Sequence, residues 1–113
     1  LPVRDLLTEL PGGESSASVR ERVSAARLLQ LQRTGKPNRD LTPRELQRHA
    51  ALAPAEQARL ASALERLGLS ARAYHRILRV ARTIADLAGS ETILTEHLSE
   101  AISYRLLDRG SSG

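Results

Sequence analysis

At 113 residues the chain is long enough for one domain with a sizeable core and too short for two ordinary ones. It has no Cys, Phe, Met or Trp, which excludes a disulfide scaffold and a thiolate metal site. The formal charge of +4 is carried almost wholly by arginine, since Lys36 is the only lysine; a GC-rich genome produces the same bias, so it is not by itself a sign of nucleic-acid binding. The apolar residues are mostly Leu and Ala, a choice that favours helices over strands. No apolar run reaches membrane-spanning length and no signal segment stands out, so the expectation is a bacterial cytoplasmic protein without a membrane partner.

Residues 1–13 (LPVRDLLTELPGG) read as a linker, because Pro2, Pro11, Gly12 and Gly13 break any periodicity. Residues 14–109 form the expected helical domain. Residues 110–113 (GSSG) are expected to be a disordered tail and have the composition of a cloning scar. In the first helix Ser18 and Glu21 have capping-box spacing. Val19, Val23 and Ala26 make one face with Leu29 beside them, while Leu28 and Leu31 fall elsewhere on the wheel, so contacts on two sides are expected. Gly35, Lys36, Pro37 and Asn38 end it.

The next start signal is unusually complete. Thr42 is the cap, Pro43 takes the first helical position, Glu45 closes a capping box, and Leu41 can staple to Leu46. This short helix should end near His49 or Ala50. A third helix runs from Pro54 to Leu67, with Leu60, Ala61, Leu64 and Leu67 on one face and Gly68 closing it. Only Gly68 and Leu69 separate it from the fourth, so those two helices are expected to pack closely.

The fourth helix, Ser70 to Gly89, carries the clearest pattern in the chain. Ser70 is a natural N-cap and Gly89 a natural left-handed stop. Tyr74, Ile77, Leu78, Ala81, Ile84, Ala85 and Ala88 fall on one stripe at ~100° per residue. The other side carries Arg72, Arg76, Arg79, Thr83 and Asp86. A last helix is capped by Thr95 and buries Leu98, Ala101, Ile102 and Leu106. The expected fold is an all-α bundle of four to five helices.

Chemistry of its own is missing from the sequence. There is no G-x-x-x-x-G-K-[ST] loop and no G-x-G-x-x-G. His49, His75 and His97 stand far apart, which argues against a metal site, and nothing pairs a serine with a base. No catalytic residue, metal or cofactor is therefore assigned to this chain. From Arg66 to Arg82, however, there are five arginines and no acid. That face can serve a nucleotide held by another domain, a duplex DNA, or a protein partner; a plain solvated face is the alternative.

The segments GESSASVRERVSAAR, LTPRELQRH and above all LGLSARAYHRILRVARTIADLAGSE, with the ending EHLSEAISYRLLDR, resemble the C-terminal helical region of the magnesium-chelatase-like AAA+ ATPases, in particular the competence-protein ComM (YifB-type) group. The resemblance covers about residues 1–109. It implies an AAA+ lid domain, joined by residues 1–13 to an α/β core that holds the Walker motifs, sensor 1 and the arginine finger. It implies that Ser70-Ala71-Arg72 matches the sensor 2 context, so that Arg72 contacts the ATP γ-phosphate in its own subunit or a neighbour's, with Arg76 and Arg79 as further candidates for contact with nucleotide, subunit or DNA. For the full-length protein it implies ATP and Mg²⁺, a hexameric ring, DNA as a partner, and branch-migration helicase activity in natural transformation. The alternative reading is a stand-alone helical module that binds DNA or protein through the Arg66–Arg82 face.

On this reading of the faces, Leu78→Ala should cost ~2–5 kcal/mol, and Arg76→Ala less than ~0.5 kcal/mol. Urea melts of the two variants check the assignment; equal losses contradict it.

Overall fold

The computed structural model describes the backbone of residues 15–112 and the side chains of residues 15–106; the expected linker, residues 1–13, lies outside the described residues, as do residues 14 and 113. Five helices follow one another, with no strand among the described residues: α1 (Ser16–Thr34), α2 (Pro43–His49), α3 (Pro54–Leu67), α4 (Ala71–Leu87) and α5 (Thr95–Ser112), with a 3-10 turn at Asn38–Asp40. The all-α expectation holds. The backbone of α5 stays helical to Ser112, into the stretch expected to be an irregular tail.

Local chemistry sets most of the helix ends. Thr42 and Glu45 form the expected reciprocal box: the Thr42 hydroxyl accepts from the Glu45 amide at 3.2 Å, and the Glu45 carboxylate accepts from the Thr42 amide at 2.9 Å. Lys36 adds an ion pair to Glu45 at 2.6 Å. The hydrogen bond from Lys36, then that from the Thr42 backbone, hold the Glu45 carboxyl down at about 2. Ser70 caps α4, its hydroxyl accepting from the Ala73 amide at 3.3 Å. Gly89, at φ 70°, closes α4, and the Ser90 and Gly89 amides return to the Ala85 and Asp86 carbonyls at 2.8 and 3.0 Å.

Two predicted caps are displaced. α1 is capped by Ser15, whose hydroxyl accepts from the Ser18 amide at 3.1 Å, so it starts earlier than the Ser18–Glu21 box implies. Ser15 has the extended backbone a cap needs and gains the helix extra length. At α5, Leu94 occupies the cap position, and the buried His97 ring accepts from its amide at 3.0 Å. Thr95 is the first helical residue instead, and its hydroxyl bonds the Glu56 carboxylate of α3.

The core collects Leu41, Leu46, Leu60, Ile77, Leu78 and Leu98, packed with Ala81, Ala85 and Ala101. α4 is its axis. It lies chiefly along α5 and also meets α1, the 3-10 turn and α2. Contact with α3 is slight despite the short link, the visible tie being the Gln57 amide donating to the Tyr74 hydroxyl at 3.3 Å. On α3 the buried pair is Leu60 and Ala63 rather than Leu60 and Ala61. α1 is the loosest element: Ala26 and Gln30 are buried, whereas Val23, Leu28, Leu29 and Leu31 remain exposed.

One polar cluster lies within this apolar packing. Asp86 is only 3% exposed. Arg33 of α1 grips it with both terminal nitrogens, at 2.7 and 3.1 Å. Arg82, one turn earlier on α4, donates from Nε at 3.1 Å, and the Asn38 amide donates at 2.9 Å. Arg82 also donates to the carbonyls of His49, Ser90 and Glu91, so it closes the end of α2 and the α4–α5 connection together. Burial acts to raise the Asp86 pKa, but the hydrogen bonds from Arg33 and Asn38 and the charge of Arg82 outweigh it, and the carboxyl titrates below its ordinary range.

A carboxyl with a depressed folded-state pKa contributes stability above its unfolded pKa, near 3.9, and loses it as pH falls through the folded value. Asp86→Asn should therefore cost ~3–5 kcal/mol at neutral pH, because two guanidiniums are left without their counter-charge. Thermal melts across pH should show that deficit shrinking below about pH 4. Matching melting temperatures at neutral pH contradict the role given to this cluster.

Candidate functional site

Ser70 sets the start of α4, which places Arg72 in the opening turn, where there is no acidic residue. A guanidinium at the positive end of a helix dipole is disfavoured, typically by ~0.3–1 kcal/mol. Arg72 is exposed and has no hydrogen-bond or ionic partner among the described residues. Arg76, one turn on, is also exposed. Arg79 is half-buried, and its Nε donates to the Leu41 carbonyl at 2.9 Å. At a rise of 1.5 Å per residue, Arg72 to Arg79 spans about 10 Å of helix.

These three arginines line a cleft of about 550 Å³ together with Arg39 from the 3-10 turn and Arg105 from α5. Ala73 and Val80 also line it, and no carboxylate does among the described residues. Five arginines from three elements thus line one concavity. The fork of an arginine matches phosphate oxygens two at a time, which the single ammonium of lysine cannot do. Among its described residues nothing offers a nucleophile or a base, and their chemistry suits holding an anion.

The open side of α4 is narrower than the sequence predicts. Asp86, expected there, is buried in the cluster with Arg33 and Asn38. Thr83 is half-buried, its hydroxyl donating to the Arg79 carbonyl and accepting from Asn38. Arg82, which belongs to the expected Arg66–Arg82 face, is 3% exposed and spent on internal bonds. Arg66 does not line the cleft. The physical reason is that α1 and the 3-10 turn cover a flank of α4 that a two-sided wheel leaves open, and a charge covered in that way must be paired.

A further concavity of about 470 Å³, bordered by α2, α3 and α4, has Leu46, Leu52, Tyr74 and His75 in its wall and, among the described residues, no Asp, Glu, Lys or Arg. Among the described residues no His, Asp and Glu group has the arrangement of a metal site. His97 is taken up by its Leu94 bond, and His75 stands edge-on to the Tyr74 ring at 5.3 Å. No helix among the described residues is long and apolar enough to cross a membrane.

Arg39 and Arg105 are the cleft residues that sequence reasoning missed. Arg39 sits in an ordinary Asn-Arg-Asp turn and Arg105 on the last helix, and no spacing rule ties either to α4. Only the tertiary fold brings them beside Arg76 and Arg79.

With this geometry in view, likeness to known proteins becomes informative. The family model for the magnesium chelatase subunit ChlI C-terminal region matches residues 13–105. The chain is 47% identical over 109 residues to "Competence protein ComM" of Haemophilus influenzae, covering 96% of this chain and 21% of that protein. It is 47% identical over 97 residues to "Uncharacterized protein YifB" of Escherichia coli, covering 86% of this chain and 19% of that protein. An uncharacterized protein of Mycobacterium tuberculosis is 36% identical over 97 residues, covering 82% and 19% respectively. The chain thus spans about a fifth of the length of the curated relatives it matches.

The arginines of the cleft should separate in a stability assay. Arg79→Ala leaves the Leu41 carbonyl without its donor and should cost about 1 kcal/mol. Arg72→Ala, which relieves a charge at the positive helix end, should change stability by less than ~0.5 kcal/mol. Urea midpoints of the two variants measure this, and a larger loss for Arg72→Ala contradicts its placement.

Proposed function

Because the chain belongs to the magnesium chelatase subunit ChlI C-terminal family, we propose that it is the lid of an ATP-hydrolysing AAA+ motor in which Arg72 senses the γ-phosphate. The observation that carries this reading is a guanidinium in the acid-free first turn of α4, exposed and without a partner among the described residues. Ala71 and Arg72 follow the cap residue Ser70, so the amide end of the helix and the side chain favour an anion at the same place. The chain itself performs no hydrolysis. It binds across the nucleotide held by the motor core of its own or a neighbouring subunit, and loss of the γ-phosphate releases it, which couples hydrolysis to lid movement. ATP and Mg²⁺ are the cofactors of the whole protein on this reading, and the assembly is a hexameric ring in the cytoplasm.

The competence name of the Haemophilus relative supports a DNA-handling motor, and we assign the parent protein to branch migration of DNA during natural transformation. Arg76 and Arg79 extend the positive face towards nucleotide, neighbouring subunit or DNA. A stand-alone DNA-binding module draws on the same arginines but has fewer of them, since Arg82 is buried and Arg79 is tethered to Leu41.

In the full-length protein, Arg72→Ala should lower ATP turnover by about 10- to 100-fold, the worth of one charge-assisted hydrogen bond in the transition state. The 113-residue chain alone should bind duplex DNA weakly and with a shallow salt dependence. Normal ATP turnover by Arg72→Ala removes the sensor role, and tight, salt-steep duplex binding by the chain alone favours the stand-alone module.

A further inference from the structure

Between α1 and α5 a strip of α4 is left partly uncovered. Val80, Ile84 and Leu87 follow one another at helical steps and are half-buried, so they form the floor of a groove and not part of the sealed core. Two concavities, of about 430 and 350 Å³, meet at Ile84 and Glu100 and run over this floor. Val23 of α1 borders the first and is 42% exposed; Tyr104 of α5 borders the second and is 57% exposed. At a rise of 1.5 Å per residue the floor from Val80 to Leu87 extends about 10 Å, two turns of a helix.

The charges around this floor are not consumed by the fold. Glu96 and Glu100 stand one turn apart on α5, both exposed, and neither carboxylate has a partner among the described residues. At the far end the exposed Arg39 guanidinium has none among them either. Arg79 at that end is tied to the Leu41 carbonyl, and Arg22 at the other has a partner, so neither is counted. A nucleic-acid strand lying here meets Glu96 and Glu100 as like charges. A wholly apolar ligand covers three charges without pairing them, at a desolvation cost. We infer that this groove docks an amphipathic helix of a partner protein. Its apolar stripe at i, i+3, i+4 and i+7 rests on Val80, Ile84 and Leu87, two basic side chains one turn apart face Glu96 and Glu100, and an acidic side chain faces Arg39. The unequal charges also fix the direction in which that helix lies. Arg72 does not line this groove, and the docking does not depend on the sensor reading.

Fluorescence anisotropy of the 113-residue chain with a labelled synthetic helix of this pattern tests the inference, the peptide carrying leucine at the four stripe positions, two lysines on one flank and a glutamate at the end. Saturable binding of one peptide per chain, in the micromolar range, is expected. Glu96→Lys together with Glu100→Lys should weaken it by about tenfold, and a peptide with glutamates in place of the lysines should recover it. Arg39→Glu and Tyr104→Glu should each weaken it by about tenfold as well. Arg44→Ala, on α2 and outside the groove, should leave it unchanged. These positions are exposed, and circular dichroism melts confirm that each variant is folded. No saturable binding, equal binding of a scrambled peptide, or failure of the charge-swapped pair to recover overturns the inference. Two other occupants give results of their own, and either overturns it too. Self-association that rises with concentration in sedimentation and is lost in Tyr104→Glu makes the occupant a second copy of this chain. Co-sedimentation with phosphatidylglycerol vesicles that is lost in Tyr104→Glu makes it a lipid surface.

Discussion

The Asp86 carboxylate is the point on which the rest of the structure depends. It is almost inaccessible, and it receives Arg33 from α1, Arg82 from α4 and Asn38 from the 3-10 turn. Two guanidiniums and one carboxylate leave an excess positive charge in a poorly solvated place. The arrangement stands because the remaining donors of Arg82 end on three backbone carbonyls, so that its charge is spread over oriented dipoles. A Leu and Ala core supplies burial without strong directionality. This cluster supplies the direction, because only one mutual placement of α1, α4 and the turn satisfies all its bonds.

That placement is also what builds the cleft. Asn38 ties the 3-10 turn to α4 through Asp86 and Thr83, and the next residue, Arg39, is thereby set beside Arg76 and Arg79. Arg79 in turn fixes the end of the same turn through the Leu41 carbonyl. A buried ionic cluster on one side of α4 and an exposed cationic wall on the other are thus parts of one construction. The arginines differ in what they do: Arg33 and Arg82 hold the fold, Arg79 is anchored to the Leu41 carbonyl, and Arg72 and Arg39 are exposed.

Much of this was legible in the sequence, and the division between what was and was not is physical. Caps and stops depend on neighbours within a few residues, so Thr42 with Glu45, Ser70 and Gly89 could be assigned directly. The apolar stripe of α4 follows from helical period alone, and Ile77, Leu78, Ala81 and Ala85 are all buried. The place of Arg72 in the first turn of α4 was legible from the Ser70 cap, and it lies exposed at the cleft. Asp86 was misplaced because a wheel shows only the angle of a side chain, not how many neighbours surround the helix. Arg33, Asn38, Arg39 and Arg105 depend on contacts between residues far apart in the chain, and no local signal marks them. The short link between α3 and α4 misled for the opposite reason: α4 lies chiefly along α5, and α3 meets it through Leu60 in the shared core and the Gln57–Tyr74 hydrogen bond.

The proposed role of Arg72 is tested most directly by a structure of the full-length protein bound to Mg²⁺ and a non-hydrolysable ATP analogue. The expected result is the Arg72 guanidinium at about 2.7–2.9 Å from γ-phosphate oxygens, in its own or a neighbouring subunit. An Arg72 side chain pointing into solvent, with the γ-phosphate fully satisfied by other residues, would contradict it.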